Sequence, residues 1–223
     1  MLQDPGDETA TIRLHDRPDA QQVVLTSLLR GRIVDEVPYN RPSMSTYIAF
    51  LRAINVGGHT VKMERLRAEF EALGLESVET FIASGNVIFQ TKKRNARNLE
   101  RTIEERLRSC FGYAVDTFLR SPGELALTAG YPAFTRTELE APGATLYIAF
   151  LHGPPSAEAE RKLMTFRTET DDFTVHGREI YYLVRTRLSE SRFSGAVLER
   201  TLGQPATMRN VSTVKKLAEK YRA

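Results

Sequence analysis

The sequence has no tryptophan and a single cysteine, Cys110, among 223 residues. One cysteine excludes an internal disulfide framework and suits a reducing compartment. Its spacing with Leu99, Ile103 and Leu107 puts it on the apolar face of a helix, which predicts a packing role. The four histidines (His15, His59, His152 and His176) are dispersed, and no HxH, HExxH or CxxC pattern occurs. Neither a metal nor a cofactor is therefore expected. GxGxxG, GxxxxGK[ST] and GxSxG spacings are also missing, which removes the dinucleotide, P-loop and nucleophile-elbow readings. No apolar run approaches the roughly 18 residues of a membrane span. Nor does the N-terminus pair a basic region with an apolar one. The expectation is a cytosolic protein with no membrane partner.

What remains is ordinary globular composition, 41% hydrophobic and 26% charged. Residues 1–43 differ from the rest. Asp4, Asp7, Glu8, Asp16 and Asp19 alternate with Pro, Gln and Thr, and only QQVVLTSLL reads as a short helix. The stretch is expected to be a poorly ordered N-terminal extension, or upstream sequence with Met44 as the biological start. From residue 44 onward 26 basic residues face 21 acidic ones, a mildly basic balance that permits an anionic partner without demanding one.

From Thr46 to Ile54 the chain is nearly continuously apolar, interrupted by Arg52, as in a central strand covered on at least one face. A glycine loop follows, and then Met63, Leu66, Phe70 and Leu73 mark an amphipathic helix stopped by Gly74. Val78 and Thr80, then Val87 and Phe89, alternate around Ser84, Gly85 and Asn86, which predicts a hairpin. A second helix carries Leu99, Ile103 and Leu107, with Asn95 or Asn98 as cap, and a strand lies at 115–119. The order is βαββαβ. Ser121, Pro122 and Glu124 have capping-box spacing for a short helix, and 132–143 reads as a loop.

The pattern then restarts. YIAFL at 147–151 repeats the YIAFL of 47–51, and helix, hairpin, helix and strand follow in the same order. The expected fold is α+β, with two ferredoxin-like βαββαβ halves in internal pseudo-duplication. They span 44–120 and 145–209, joined by a linking helix and loop at 121–144 and closed by a C-terminal helix at 210–223.

In such a sheet the carboxyl end of strand one lies beside the turn between strands two and three. That brings Asn55, Gly57, Gly58 and His59 next to Ser84, Gly85 and Asn86, with Arg52 and Lys62 flanking. Loop N–H groups leading into a helix favour an anion. Read from the local sequence alone, the glycines better suit a reading in which they supply only backbone angles. Arg209 and Asn210 end the last strand before a helix, and Arg209 reaches the first edge only if the halves pack head to tail. Asp171 and Asp172 read as a solvated turn.

These segments resemble the family of unknown function DUF1697, through LRAINVGG at 51–58, SGNVIF at 84–89 and TMRNVSTVKKL at 207–217. The likeness covers 44–223. The family pattern implies polar site positions at Arg52, Asn55, Gly57, Gly58, Ser84, Gly85, Asn86, Arg209 and Asn210. Ala53 stands where the family usually has glycine, His59 where a basic residue is common, and Val211 where tryptophan is usual. The resemblance implies a bacterial cytosolic protein and names no activity.

The leading reading is binding of a small anionic ligand, a nucleotide or phosphate ester, at the glycine-loop edge, with Lys62 and His59 included in the site. Three alternatives stand beside it. RNA or single-stranded nucleic acid could stack on Tyr47, Phe81, Phe89, Tyr181 and Tyr182. A small-molecule enzyme could use His59 as acid or base. A structural protein could use the polar segments to bind its halves together.

Overall fold

The computed structural model describes residues 12–15, 23–29 and 32–39 of the first 43, and 44–222 apart from 56, 57, 59, 83, 84 and 192. The chain divides into two compact units, Met1–Met44 and Ser45–Ala223.

In the first unit β1 (Ile12–His15), β2 (Val23–Leu29) and β3 (Arg32–Tyr39) form an antiparallel sheet in that order. The helix expected at 21–29 is thus a strand. Paired valines at 23 and 24 and Thr26 favour a pleated backbone over a helix, and the adjacent strand supplies hydrogen-bond partners.

Among the described residues the second unit contains two four-stranded antiparallel sheets and seven helices. The first sheet is built from β4 (Ser45–Leu51), β5 (Glu76–Thr80), β6 (Asn86–Thr91) and β7 (Thr117–Arg120), in the order β5-β6-β4-β7. Its helices are α1 (Met63–Glu71) and α2 (Ala96–Phe111). Asn95 caps α2 by accepting from Asn98 N at 3.0 Å, and Gly112 ends it with φ +80°. Next come α3 (Pro122–Gly130), which begins with the expected capping box of Ser121 and Glu124, and α4 (Arg136–Leu139). The loop reading of 132–143 missed α4, which a second capping box, Thr135 with Glu138, opens.

The second sheet comprises β8 (Thr145–Phe150), β9 (Asp171–His176), β10 (Glu179–Val184) and β11 (Thr207–Asn210), in the order β11-β8-β10-β9. Both sheets place their own fourth, first, third and second strands side by side. The helices here are α5 (Ala157–Met164), α6 (Gly195–Leu202) and α7 (Val211–Lys220).

Three apolar layers account for the YIAFL segments. In β4, Tyr47, Ala49 and Leu51 face the cluster holding Leu66 and Phe70 of α1 and Leu99, Ile103 and Leu107 of α2. Ile48 and Phe50 face the opposite way. There they meet Ile148 and Phe150 of β8, Tyr181 and Leu183 of β10, and Val214 and Leu217 of α7. A third cluster sets Ala149, Leu151 and Tyr182 against α5 and α6. Each central strand is covered on both sides, so its apolar sequence is continuous rather than alternating.

Burial also withdraws the strand aromatics that were candidates for base stacking. Tyr47, Phe89, Tyr181 and Tyr182 are all buried, and Phe81 packs against the middle cluster outside any strand. Asp171, read as a solvated turn, is buried as well. Its carboxylate accepts hydrogen bonds from Tyr182, Ser191, Thr170 and Thr168.

Candidate functional site

The middle layer brings the last strand of each half against the first strand of the other. Arg209 pairs with Ile148 in its own sheet, yet its guanidinium points into the first half. Nε donates to Asn86 Oδ1 at 2.6 Å, and Nη2 donates to Leu51 O at 2.8 Å and Gly85 O at 3.3 Å. Nη1 donates to Thr207 Oγ1 and Met208 O, both at 2.8 Å. All five N–H groups are thus used, and every acceptor is neutral. Burial pushes the Arg209 pKa down to about 10.

Arg120 makes the corresponding contacts from the first half. It pairs with Ile48, and Nη2 donates to Leu151 O at 3.1 Å and Arg178 O at 3.4 Å, while Nη1 donates to Leu119 O at 2.8 Å. Its Nε, however, donates to a carboxylate, Glu179 Oε1, at 2.6 Å. Burial lowers the Arg120 pKa and Glu179 works against that fall. Nothing in the local sequence marked Arg120, and sequence reading passed over it.

The end of β4 meets Gly85, the part of the expected loop junction that falls among the described residues. Leu51 N donates to Gly85 O at 2.8 Å. Gly85 is left-handed (φ +72°), and a Cβ there would lie 3.0 Å from Ile54 Cβ. Asn55 Oδ1 accepts from Val61 N at 2.8 Å and closes the loop that precedes α1. Asn86 is fully buried.

A cavity of about 550 Å³ opens over this junction, lined by Arg52, Asn55, Arg209, Asn210 and Thr213 among others. Asn210 caps α7, its Oδ1 accepting from Ser212 N at 2.8 Å, and Gly195 at the start of α6 also lines the space. Four non-glycine residues are left-handed among those described, and Ala53, Asn55 and Ile82, three of the four, line this cavity.

The remaining expected site residues separate. Gly58 and Lys62 line a different cavity of about 450 Å³, together with Arg65 and Cys110. Gly57, His59 and Ser84 lie outside the described residues. Arg52 is not an unengaged positive charge. It grips Glu199 with two hydrogen bonds, at 2.5 and 2.9 Å, and reaches Asp116 at 3.3 Å. Cys110 is half-buried rather than packed, and its Sγ donates to Glu69 Oε2 at 3.0 Å. That bond raises the thiol pKa and disfavours a nucleophilic thiolate.

One cluster was missed because its members come from three distant segments. Glu104 of α2, Asp116 before β7 and His152 after β8 bring ligand-type atoms within 4.8 Å of one another.

A family model described as a protein of unknown function, DUF1697, matches residues 44–181. The chain belongs to this family. The match ends before Arg209 and α7, so the segment that reaches into the first half lies beyond it. A solved structure titled "The structure of conserved bacterial protein SP0830 from Streptococcus pneumoniae" is similar in fold, with a TM-score of 0.62 and 21% identity. The similarity covers 81% of this chain and all of that one. No curated protein matches the sequence.

Proposed function

We propose that this family member is a cytosolic bacterial protein that binds a small anion, a phosphate ester or nucleotide, in the cavity above Arg209. The observation that carries the reading is the asymmetry between two matching arginines. Arg120 is neutralised by Glu179, whereas among the described residues Arg209 is bonded only to neutral oxygens where the cavity meets the protein. A buried cation with no bonded carboxylate is costly to hold. An anion entering the cavity would supply the missing charge.

The Arg209 N–H groups are spent on protein oxygens, so its contribution to binding would be its field. Direct hydrogen bonds would come from the Asn210 amide and Thr213 hydroxyl. The N-termini of α6 and α7 add favourable dipoles. Left-handed Ala53, Asn55 and Ile82 at the rim fit a constrained ligand site. Among the described lining residues no histidine, cysteine or carboxylate is present to move a proton, which favours binding over a reaction.

The two sheets are, on this reading, ferredoxin-like halves of a duplicated unit. Identical strand order supports it, and so does the correspondence of Arg120 with Arg209, Leu51 with Leu151, and Asn86 with Glu179. The second half meets the first half's Arg120 with the carboxylate of Glu179, whereas the first half meets Arg209 with the neutral amide of Asn86 and leaves its charge for a ligand.

The test is calorimetric titration with inorganic phosphate and a panel of nucleotides and sugar phosphates, on wild type and Asn86→Asp. The substitution places beside Arg209 the kind of group Glu179 provides for Arg120. A folded Asn86→Asp chain should lose affinity at least tenfold. Absence of any binding anion, or equal affinity in Asn86→Asp, refutes the reading.

A further inference from the structure

We propose that Glu104, Asp116 and His152 form a divalent-cation site at the junction of the two halves, separate from the anion cavity and taking a first-row ion such as Zn²⁺ or Mn²⁺. His152 Nε2 lies 3.7 Å from Glu104 Oε1. That is too long for a hydrogen bond, whereas two ligands each about 2.0–2.2 Å from one ion sit about 3–4 Å apart. Asp116 completes the group, with all three ligand atoms within 4.8 Å.

The second observation is the other ring nitrogen. His152 Nδ1 is shielded from solvent and has no hydrogen-bond partner among the described residues, although Glu100 Oε2 is only 3.3 Å away. A small turn of the ring would put an Nδ1–H in line with that carboxylate. A ligating histidine ordinarily has such an outer partner, which fixes the tautomer and leaves Nε2 free for the ion. The ring is already held in plane by stacking on Phe118, with centroids 4.4 Å apart.

The carboxylates are held as well. Glu104 Oε1 accepts from Thr117 N and Glu100 Oε1 from Leu119 N, each at 2.9 Å. A carboxylate oxygen keeps a second lone pair for a metal. Arg97 offsets Glu100, and Arg52 touches Asp116 while gripping Glu199, so four carboxylates face two guanidiniums and one imidazole. A divalent ion fits that balance with the imidazole neutral. One nitrogen and two oxygens suit zinc or manganese better than a soft metal. Glu104 and Asp116 also line a separate pocket of about 250 Å³, which gives an ion a route in and leaves positions for water.

The experiment is titration of the chelator-treated full chain with Zn²⁺ and Mn²⁺ by calorimetry, with circular dichroism to verify folding. Wild type should bind one ion. Asp116→Asn and His152→Gln should each weaken binding at least tenfold, and Glu100→Gln about tenfold through the ring it orients. Cys110→Ser, at a distant thiol, should change nothing. Asp116 is partly exposed, so Asp116→Asn decides the matter if His152→Gln fails to fold. No binding at millimolar metal overturns the site. Binding that survives Asp116→Asn, or that is lost with Cys110→Ser, overturns it too.

Discussion

The rings of Phe50 and Phe150 stack 4.0 Å apart and within 7° of parallel, joining the same position of the two YIAFL strands across the middle of the protein. Each ring is covered by an arginine from the last strand of the other half. Arg209 lies 5.7 Å over Phe50, and Arg120 lies 5.3 Å over Phe150. Aromatic stacking and cation–π contact therefore act at the same pair of rings that seal the sheet interface. Phe50→Ala and Phe150→Ala should each cost about 3–5 kcal/mol in urea unfolding, since both rings are fully buried. The double variant should fall short of the sum by about 0.5–1.5 kcal/mol, the coupling of a stacked pair. Additive losses would mean that the rings stabilise the halves independently.

Ala53 has a φ of +62°, and the left-handed region costs a residue with a Cβ about 1–2 kcal/mol. Ala53→Gly should raise stability by about 1 kcal/mol, part of the relief being returned through the freer unfolded chain. The opposite change at Gly85 meets a left-handed backbone and also Ile54 Cβ at 3.0 Å and Leu51 Cβ at 3.2 Å. Gly85→Ala should therefore lose at least about 1–2 kcal/mol. Denaturant midpoints of the two variants, moving in opposite directions, are the measurement.

The Arg120–Glu179 pair is buried, so removing one partner leaves the other charge stranded. Glu179→Ala should cost about 3–5 kcal/mol. Glu179→Gln should cost less, because an amide oxygen can accept from Nε as Asn86 Oδ1 does for Arg209. Arg209→Lys should be poorly tolerated, since an ammonium cannot replace a fork that serves Asn86, Leu51 and Gly85 together. Thermal unfolding of the three variants ranks these effects, and equal melting of Gln and Ala at 179 would deny the role of the amide oxygen.

Much of this architecture was legible because its signals are local. The apolar strands, Asn95 as cap, the Ser121 capping box and Gly112 as a stop all depend on neighbours in sequence. The meeting of Gly85 with the end of β4 is not local, but it follows from the strand order that those signals imply. Arg120 was not legible, because a charged residue ending a four-residue strand gives no sign that another sheet will cover it. The partners of Arg52 and the placing of Lys62 were not legible for the same reason. Their charges suggested one anion edge, but Glu199 lies 147 residues from Arg52 and claims it, while Lys62 faces another cavity. The α4 signal was present in Thr135 and Glu138 and was hidden by flanking proline and glycine.

Asp171 sets an expectation for acid pH. Burial alone would raise its pKa, but hydroxyl donors from Tyr182, Ser191, Thr170 and Thr168 outweigh it and hold the carboxyl below its usual value. A carboxyl depressed on folding binds its proton more weakly in the native state than in the unfolded chain. Its stabilising contribution is therefore complete above the unfolded value near 3.9 and is lost as pH falls through the lower folded value. Asp171→Asn should be less stable than wild type at neutral pH, because an amide accepts these hydroxyls less strongly than a carboxylate. Its stability should also decline less steeply between about pH 4 and pH 2, so the two curves converge in acid. Urea unfolding across that range makes the comparison. Parallel curves would show that the hydroxyl cage holds Asp171 no more tightly when it is charged than when it is protonated.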